Sequence, residues 1–222
     1  MSDRLHEELK KLKRDVIKMG GLAKEMLHYS IEALKKQNVE MAERVISKKK
    51  NLADMDAEIE EKALQLMALY HPMARDMRTV ACILKTITYL NRIGRYGKDI
   101  ASIAKELSDK PHLAKLVEIP YMAELVCKMI DDALKAFETE KAFETENLSL
   151  VRDFEERDDM LDALRWSIFR ECLTYMIEEP TTITRCAHYM MIARYLERCG
   201  DHACKIAEKV HYMVTGERKE IK

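Results

Sequence analysis

Apolar side chains recur every three or four positions along almost the whole chain, and no stretch alternates with a period of two. Leu5, Leu9, Leu12, Val16, Met19, Ala23, Met26, Leu27, Ile31 and Leu34 carry this spacing through the first segment. It predicts a helix over 2–37, broken at Asn38. A second predicted helix covers 39–70 and stops before His71-Pro72. A third covers 74–107 and ends at Ser108-Asp109-Lys110-Pro111, the strongest boundary in the chain. The scheme then repeats, with predicted helices over 120–139, 147–177 and 182–214. Thr181 and Thr182, after Pro180, are placed to cap the last of these. The longest run for about 30 residues, or roughly 45 Å at the α-helical rise.

The third and sixth predicted helices align without a gap. Thr88-Tyr-Leu-Asn-Arg-Ile-Gly-Arg-Tyr-Gly-Lys-Asp-Ile-Ala101 lies over Arg194-Tyr-Leu-Glu-Arg-Cys-Gly-Asp-His-Ala-Cys-Lys-Ile-Ala207. Gly94 and Gly200 fall in register inside helices, where glycine costs about 1 kcal/mol relative to alanine. A doubled glycine of this kind predicts close approach by a neighbouring helix. The joints before the second and fifth helices match as well: Ala33-Leu-Lys-Lys-Gln-Asn-Val39 parallels Ala142-Phe-Glu-Thr-Glu-Asn-Leu148. The fold class is therefore all-α, two tandem three-helix bundles related by an internal repeat, with units over 1–110 and 111–222. Whether the first and fourth helices stack end to end or join the bundles is not decided by the pattern. A smaller repeat, Lys135-Ala-Phe-Glu-Thr-Glu140 followed by Lys141-Ala-Phe-Glu-Thr-Glu146, reads as a short duplication lengthening a hairpin tip.

Composition narrows the function classes. Lys and Arg number 38 against 39 Asp and Glu, so net charge gives no reason to propose a nucleic-acid partner. No apolar run reaches about 18 residues, so no span is expected and membrane contact is peripheral at most. The polar start from Met1 to Glu8 does not read as a signal peptide. The cysteines at 82, 127, 172, 186, 199 and 204 form no CxxC pair and fit helical patterns as small apolar fillers, which points to a reducing cytoplasm without disulfides or zinc. No glycine-rich phosphate loop is present, and no organic cofactor is expected.

One constellation carries chemistry. Glu197 and Asp201 lie four apart on the sixth helix, and Asp158 and Asp162 lie four apart on the fifth, so each pair shares a helix face. The two helices form an antiparallel hairpin about Pro180, which brings both pairs to similar height. Like charges four apart repel on a bare helix, and a cation reverses that sign. Acidic-x-x-x-Asp by itself is a weak signal; the competing reading is a solvated face with Arg194 and Lys205 as partners. The donors are all oxygen, which suits iron or manganese, then magnesium or calcium, ahead of zinc. His202 points about 100° around the helix from Asp201, and is expected in an outer shell or at the surface. In the first copy these four positions are Lys49, Ala53, Asn91 and Arg95, with Asp54 and Asp56 near enough for a salt bridge. A ferritin-type carboxylate enzyme or storage bundle is the alternative, resting on Glu25-x-x-His28 and Glu208-x-x-His211, which fall in different bundles.

Leu196-Glu-Arg-Cys-Gly-Asp201 with Ala193 and Ile206-Ala207, together with Val16-Ile-Lys-Met-Gly-Gly21, Pro72-Met-Ala-Arg-Asp-Met-Arg78 and Leu173-Thr-Tyr-Met-Ile177, resembles the PhoU family of phosphate-uptake regulators over nearly the whole chain. The resemblance implies a cytoplasmic, non-enzymatic accessory protein that restrains phosphate uptake. It implies the ATPase of the phosphate ABC transporter as a partner and, in many bacteria, a sensor histidine kinase. It also implies a multinuclear metal cluster on paired acidic motifs, which Asp158, Asp162, Glu197 and Asp201 match. Lys49, Ala53, Asn91 and Arg95 depart from that pattern, so the first bundle is expected to serve as scaffold or docking surface. The long apolar faces suit a homodimer.

Overall fold

In a computed structural model, residues 2–113, 118–138 and 149–221 are described. Among the described residues the main α-helices are, in order, α1 Ser2–Lys36, α2 Val39–Ser47, α3 Lys49–Tyr70, α4 Ala74–Glu106, α5 Glu118–Glu138, α6 Phe154–Glu178 and α7 Ile183–Thr215. A single 3-10 turn, Pro180–Thr182, joins α6 to α7. There is no strand among the described residues. None of their helices is long and apolar enough to cross a membrane.

Three elements differ from the sequence pattern. The second predicted helix is divided at Lys48 into α2 and α3. Its amide turns back to Val45 at 3.1 Å, the Ser47 hydroxyl bonds the Arg44 carbonyl at 2.8 Å, and the Lys48 ammonium reaches Glu25 of α1. These local and tertiary bonds bend the segment without any Pro or Gly to announce it. The fifth predicted helix begins later, at Phe154, after a turn. Thr182 does not cap α7 with its side chain. Its hydroxyl donates instead to the Tyr175 carbonyl at 3.1 Å and the Glu179 carbonyl at 2.7 Å, closing the end of α6. Asn38, by contrast, caps α2 by accepting from the Met41 amide at 2.9 Å. The second copy of the short KAFETE duplication falls outside the described residues.

The bundles pack side by side. Helices α1 to α4 form the first and α5 to α7 the second, with α4 laid against α7 and α1 against α5. Lys24 of α1 pairs with Asp131 of α5 at 2.7 Å. Along α4 and α7 the contacts run antiparallel: the Cys82 thiol donates to the Lys209 carbonyl at 3.3 Å, Tyr89 stacks on His202, and Tyr96 stacks on Tyr195 and His202. The self-alignment pairs Tyr89 with Tyr195 and Tyr96 with His202. The Tyr89–His202 stack (centroids 5.7 Å apart) and the Tyr195–Tyr96 stack (5.3 Å) are therefore one contact seen twice about a local two-fold. The repeat is thus a physical symmetry of the molecule.

The in-register glycines behave as their doubling predicts. A Cβ on Gly94 would overlap the Leu52 side chain, and one on Gly200 would overlap Leu161. Leu52 and Leu161 are themselves equivalent in the aligned joints, so each copy of the unit seats a leucine into a helical glycine by the same ridge-and-groove contact.

Candidate functional site

Asp158 and Asp162 project from α6, and Glu197 and Asp201 from α7, across the helix pair that Gly200 allows to approach closely. The Asp158 Oδ1 lies 3.5 Å from where a Cβ of residue 200 would stand. The Asp158 carboxyl is half-buried, and its pKa is pushed from 3.8 up to about 6 by burial first and then by the charges of Asp201, Asp162 and Glu197. Asp158 therefore feels the charge of the other three acids. The Cys204 thiol, buried on the next turn of α7, hydrogen-bonds Asp158 and opposes part of that rise.

The acids are drawn toward cations as they stand. Glu197, only 8% exposed, is bonded by Arg194 and has Arg165 Nε at 3.8 Å. Burial raises its pKa, while Arg194 pulls it back. Asp201 pairs with Arg198 at 3.2 Å. Asp162 is exposed. Among the described residues, no three Asp, Glu, His or Cys side chains are gathered tightly enough to hold an ion without rearrangement. Of the cations anticipated from sequence, Arg194 does pair with Glu197, whereas Lys205 serves Glu208 at 2.8 Å.

The first bundle inverts this chemistry. Asn91 Nδ2, at the position of Glu197, donates to Asp56 Oδ2 at 2.7 Å. Asp56 stands where the second copy has Arg165. The same two positions are linked in both copies with their polarity exchanged. This amide–carboxylate bond replaces the anticipated salt bridge; Lys49 and Arg95 are exposed.

His202 is neither at the surface nor in an outer shell of carboxylates. It is 9% exposed and stacked against Tyr89 and Tyr96 of α4, and its Nε2 has no hydrogen-bond partner among the described residues. Burial, then Arg92, lowers its pKa to about 4, so it is neutral at pH 7. The face of α7 opposite α6 was not recognisable as buried until α4 was in place. Cys199 and Cys204 sit in the core as free thiols. The two Glu-x-x-His pairs are otherwise engaged: Glu25 with Lys48, and Glu208 with Lys205 and the Ile221 amide at 3.0 Å.

The raised Asp158 pKa has a stability consequence for the metal-free chain. A folded-state pKa above the unfolded value means that folding takes up a proton, so stability rises as pH falls from 7 toward 5. Asp158→Asn should then stabilise the metal-free protein at pH 7 by about 1 kcal/mol, after discounting for solvent screening of a half-exposed group. That gain should shrink to about half by pH 5, where the folded-state carboxyl is protonated, and vanish only below about pH 4, where the unfolded chain is protonated too. Urea denaturation at pH 7 and pH 5 checks this; an equal gain at both would assign the effect to packing.

The class defined so far is an all-helical protein of two symmetric three-helix units, with an acidic hairpin in one of them. Comparison with known proteins identifies the family. The PhoU domain model matches residues 16–104 and again 119–210, and the chain belongs to the PhoU family. The phosphate-specific transport system accessory protein PhoU homolog of Rhizobium meliloti (strain 1021) is 37% identical over 211 residues, covering 95% of this chain and 86% of that protein. The Aquifex aeolicus (strain VF5) protein of the same description is 36% identical, covering 96% and 94%. The crystal structure of PhoU from Pseudomonas aeruginosa superposes with a TM-score of 0.88 at 30% identity, covering 96% of this chain and 99% of that one. The phosphate transport system regulatory protein PhoU from Streptococcus pneumoniae superposes at 0.86 and 26% identity, covering 97% and 99%.

Proposed function

We propose that this chain is a cytoplasmic accessory regulator that restrains phosphate uptake by docking on the phosphate ABC transporter, through its ATPase, and on a sensor histidine kinase where one is present. The observation that carries this reading is the match of both repeats, over nearly the full chain, to phosphate-transport accessory proteins. The surface supports a docking role. Leu69 and Met73 at the α3–α4 tip are 71% and 80% exposed, and Ile177 at the α6–α7 tip is 82% exposed. Large apolar side chains left in water at helix-hairpin tips suit a partner protein. Mechanistically the chain supplies faces and charge rather than a reaction. A homodimer formed through the same apolar surfaces is part of this reading.

Asp158, Asp162, Glu197 and Asp201 would hold an iron or manganese ion, whose positive charge offsets the mutual repulsion raising Asp158. The donor set fits such an ion in chemistry, being all carboxylate. To bind, Glu197 must exchange Arg194 for the metal, and Asp201 must exchange Arg198. Metal occupancy is thereby coupled to release of two arginines onto the α7 surface, which gives the partner face a means of reading the site.

Expression of this chain in a bacterium lacking its own PhoU tests the regulatory reading. Phosphate uptake in phosphate-rich medium should fall to the level of the parent strain, and the transporter ATPase should co-purify with the chain. Unrestrained uptake together with no recovered ATPase would overturn it.

A further inference from the structure

A groove enclosing about 700 Å³ runs between α4, the last turns of α7 and the segment 217–221. That volume suits a small organic molecule rather than a single inorganic ion. Five cations line it: Lys85 from α4, Lys205 and Lys209 from α7, and Arg218 and Lys219 from the segment beyond α7. Two acids answer them. Glu208 is taken by Lys205 at 2.8 Å and by the Ile221 amide at 3.0 Å, and Glu220 acts on the same lysine. Lys85, Lys209 and Lys219 have no ion pair among the described residues, and the Arg218 guanidinium lies over the Tyr212 ring. Four positive groups thus face one concavity without a carboxylate partner. At the floor of the groove, Lys209 and Arg78 oppose the burial that pushes the Cys82 thiol up to about 11.

Packing of the repeat does not require this charge. Under the local two-fold, Lys85, Lys205 and Lys209 correspond to Met191, Asp99 and Ile103, none of them basic. The far segment is held in place independently of any ligand. Gly216 ends α7 with φ 80°, a left-handed turn against the Arg78 guanidinium, and directs the chain back along the helix to the Ile221–Glu208 bond. Uncompensated lysines brought together by a folded-back segment, beside an aromatic wall, are the arrangement that binds a multiply charged phosphorylated molecule; lysine ammoniums act there as point charges on phosphate oxygens.

We propose that this groove is a binding site for a phosphorylated anion of nucleotide size, its phosphates met by Lys85, Lys209, Arg218 and Lys219. The site is separate from the carboxylate face and does not depend on it. Calorimetric titration of the full chain at physiological salt tests the assignment, with sodium tripolyphosphate, ATP and inorganic phosphate as probes. Tripolyphosphate and ATP should each bind saturably with one molecule per chain. Lys85→Glu/Lys209→Glu should weaken both at least about tenfold, and Arg218→Ser/Lys219→Ser by about three- to fivefold. Lys128→Glu, which alters an exposed charge on α5, should leave binding unchanged. Tighter binding of ATP than of tripolyphosphate would place the base on the Tyr212 wall. No saturable binding of tripolyphosphate or ATP below about 1 mM overturns the proposal. So does inorganic phosphate binding as tightly as tripolyphosphate, or a loss in Lys128→Glu equal to that in the groove variants.

Discussion

Asp162→Ala/Glu197→Ala is expected to keep its helical content and lose its metal. After loading with Fe(II) or Mn(II) and desalting, the wild-type chain should retain bound ion by elemental analysis, while the double variant should fall to background. Two of four carboxylates are removed, one from each helix, so only Asp158 and Asp201 remain, half of the donor set that would hold the ion. Affinity should drop by at least about a hundredfold, or roughly 3 kcal/mol. The fold should survive for a definite reason. Asp162 is exposed, and removing Glu197 subtracts one of the charges that raise the Asp158 pKa. The variant does leave Arg165 and Arg194 without their carboxylate, but Arg194 is near the surface and Arg165 also lies over the Trp166 ring, 4.4 Å from its centroid. Equal metal content in wild type and variant would remove the site from this face. The metal result also bears on Asp158→Asn, which should weaken retention while stabilising the metal-free fold, a combination that a purely structural carboxylate does not produce.

The periodicity of apolar residues was enough to place the long helices, because each is amphipathic and each ends at a recognisable break such as Asn38, His71-Pro72 or Pro180. The repeat was legible for the same reason: Tyr89 and Tyr195, and Gly94 and Gly200, recur in register because they make the same contact twice. The division at Lys48 was not legible, since it comes from Ser47 and Lys48 bonding locally and to α1, and Lys48 is an ordinary helix former. Likewise the four acids could be assigned to one face from spacing, yet their present partners could not. Whether Glu197 meets Asp158 or Arg194 depends on rotamers within a crowded interface. His202 was misplaced because helical angle alone says which way a side chain points but not what lies there. Only the lateral packing of α4 on α7 makes that direction interior. The cationic groove was invisible for a related reason. Its lysines come from two helices and from a segment after Gly216 that has no periodicity of its own.

The close packing of α1 on α4 sets the other large expectation. A Cβ on Gly97 would stand 2.9 Å from the Leu27 amide nitrogen and 2.9 Å from the Met26 carbonyl carbon, which are backbone atoms of α1. No rotamer change relieves such a contact, so the helices must separate. Gly97→Ala should therefore destabilise the chain by about 2–3 kcal/mol, even after the roughly 1 kcal/mol that alanine gains in helix propensity. For a chain of this length that corresponds to a fall in melting temperature of about 5–10 °C. Gly21→Ala is the matched control: no atom lies within 4 Å of its Cβ position, and the change should stabilise α1 by about 0.5–1 kcal/mol. Gly200→Ala should fall between them, since its Cβ meets the end of the Leu161 side chain, which can turn aside. The second copy carries Ala203 at the register of Gly97, so a methyl is compatible with the repeat itself. What Gly97 serves is the particular contact of α1 with α4, and with it the lateral join of α1 to α5. A Gly97→Ala variant as stable as wild type would mean that α1 sits farther from α4 than a 2.9 Å contact allows.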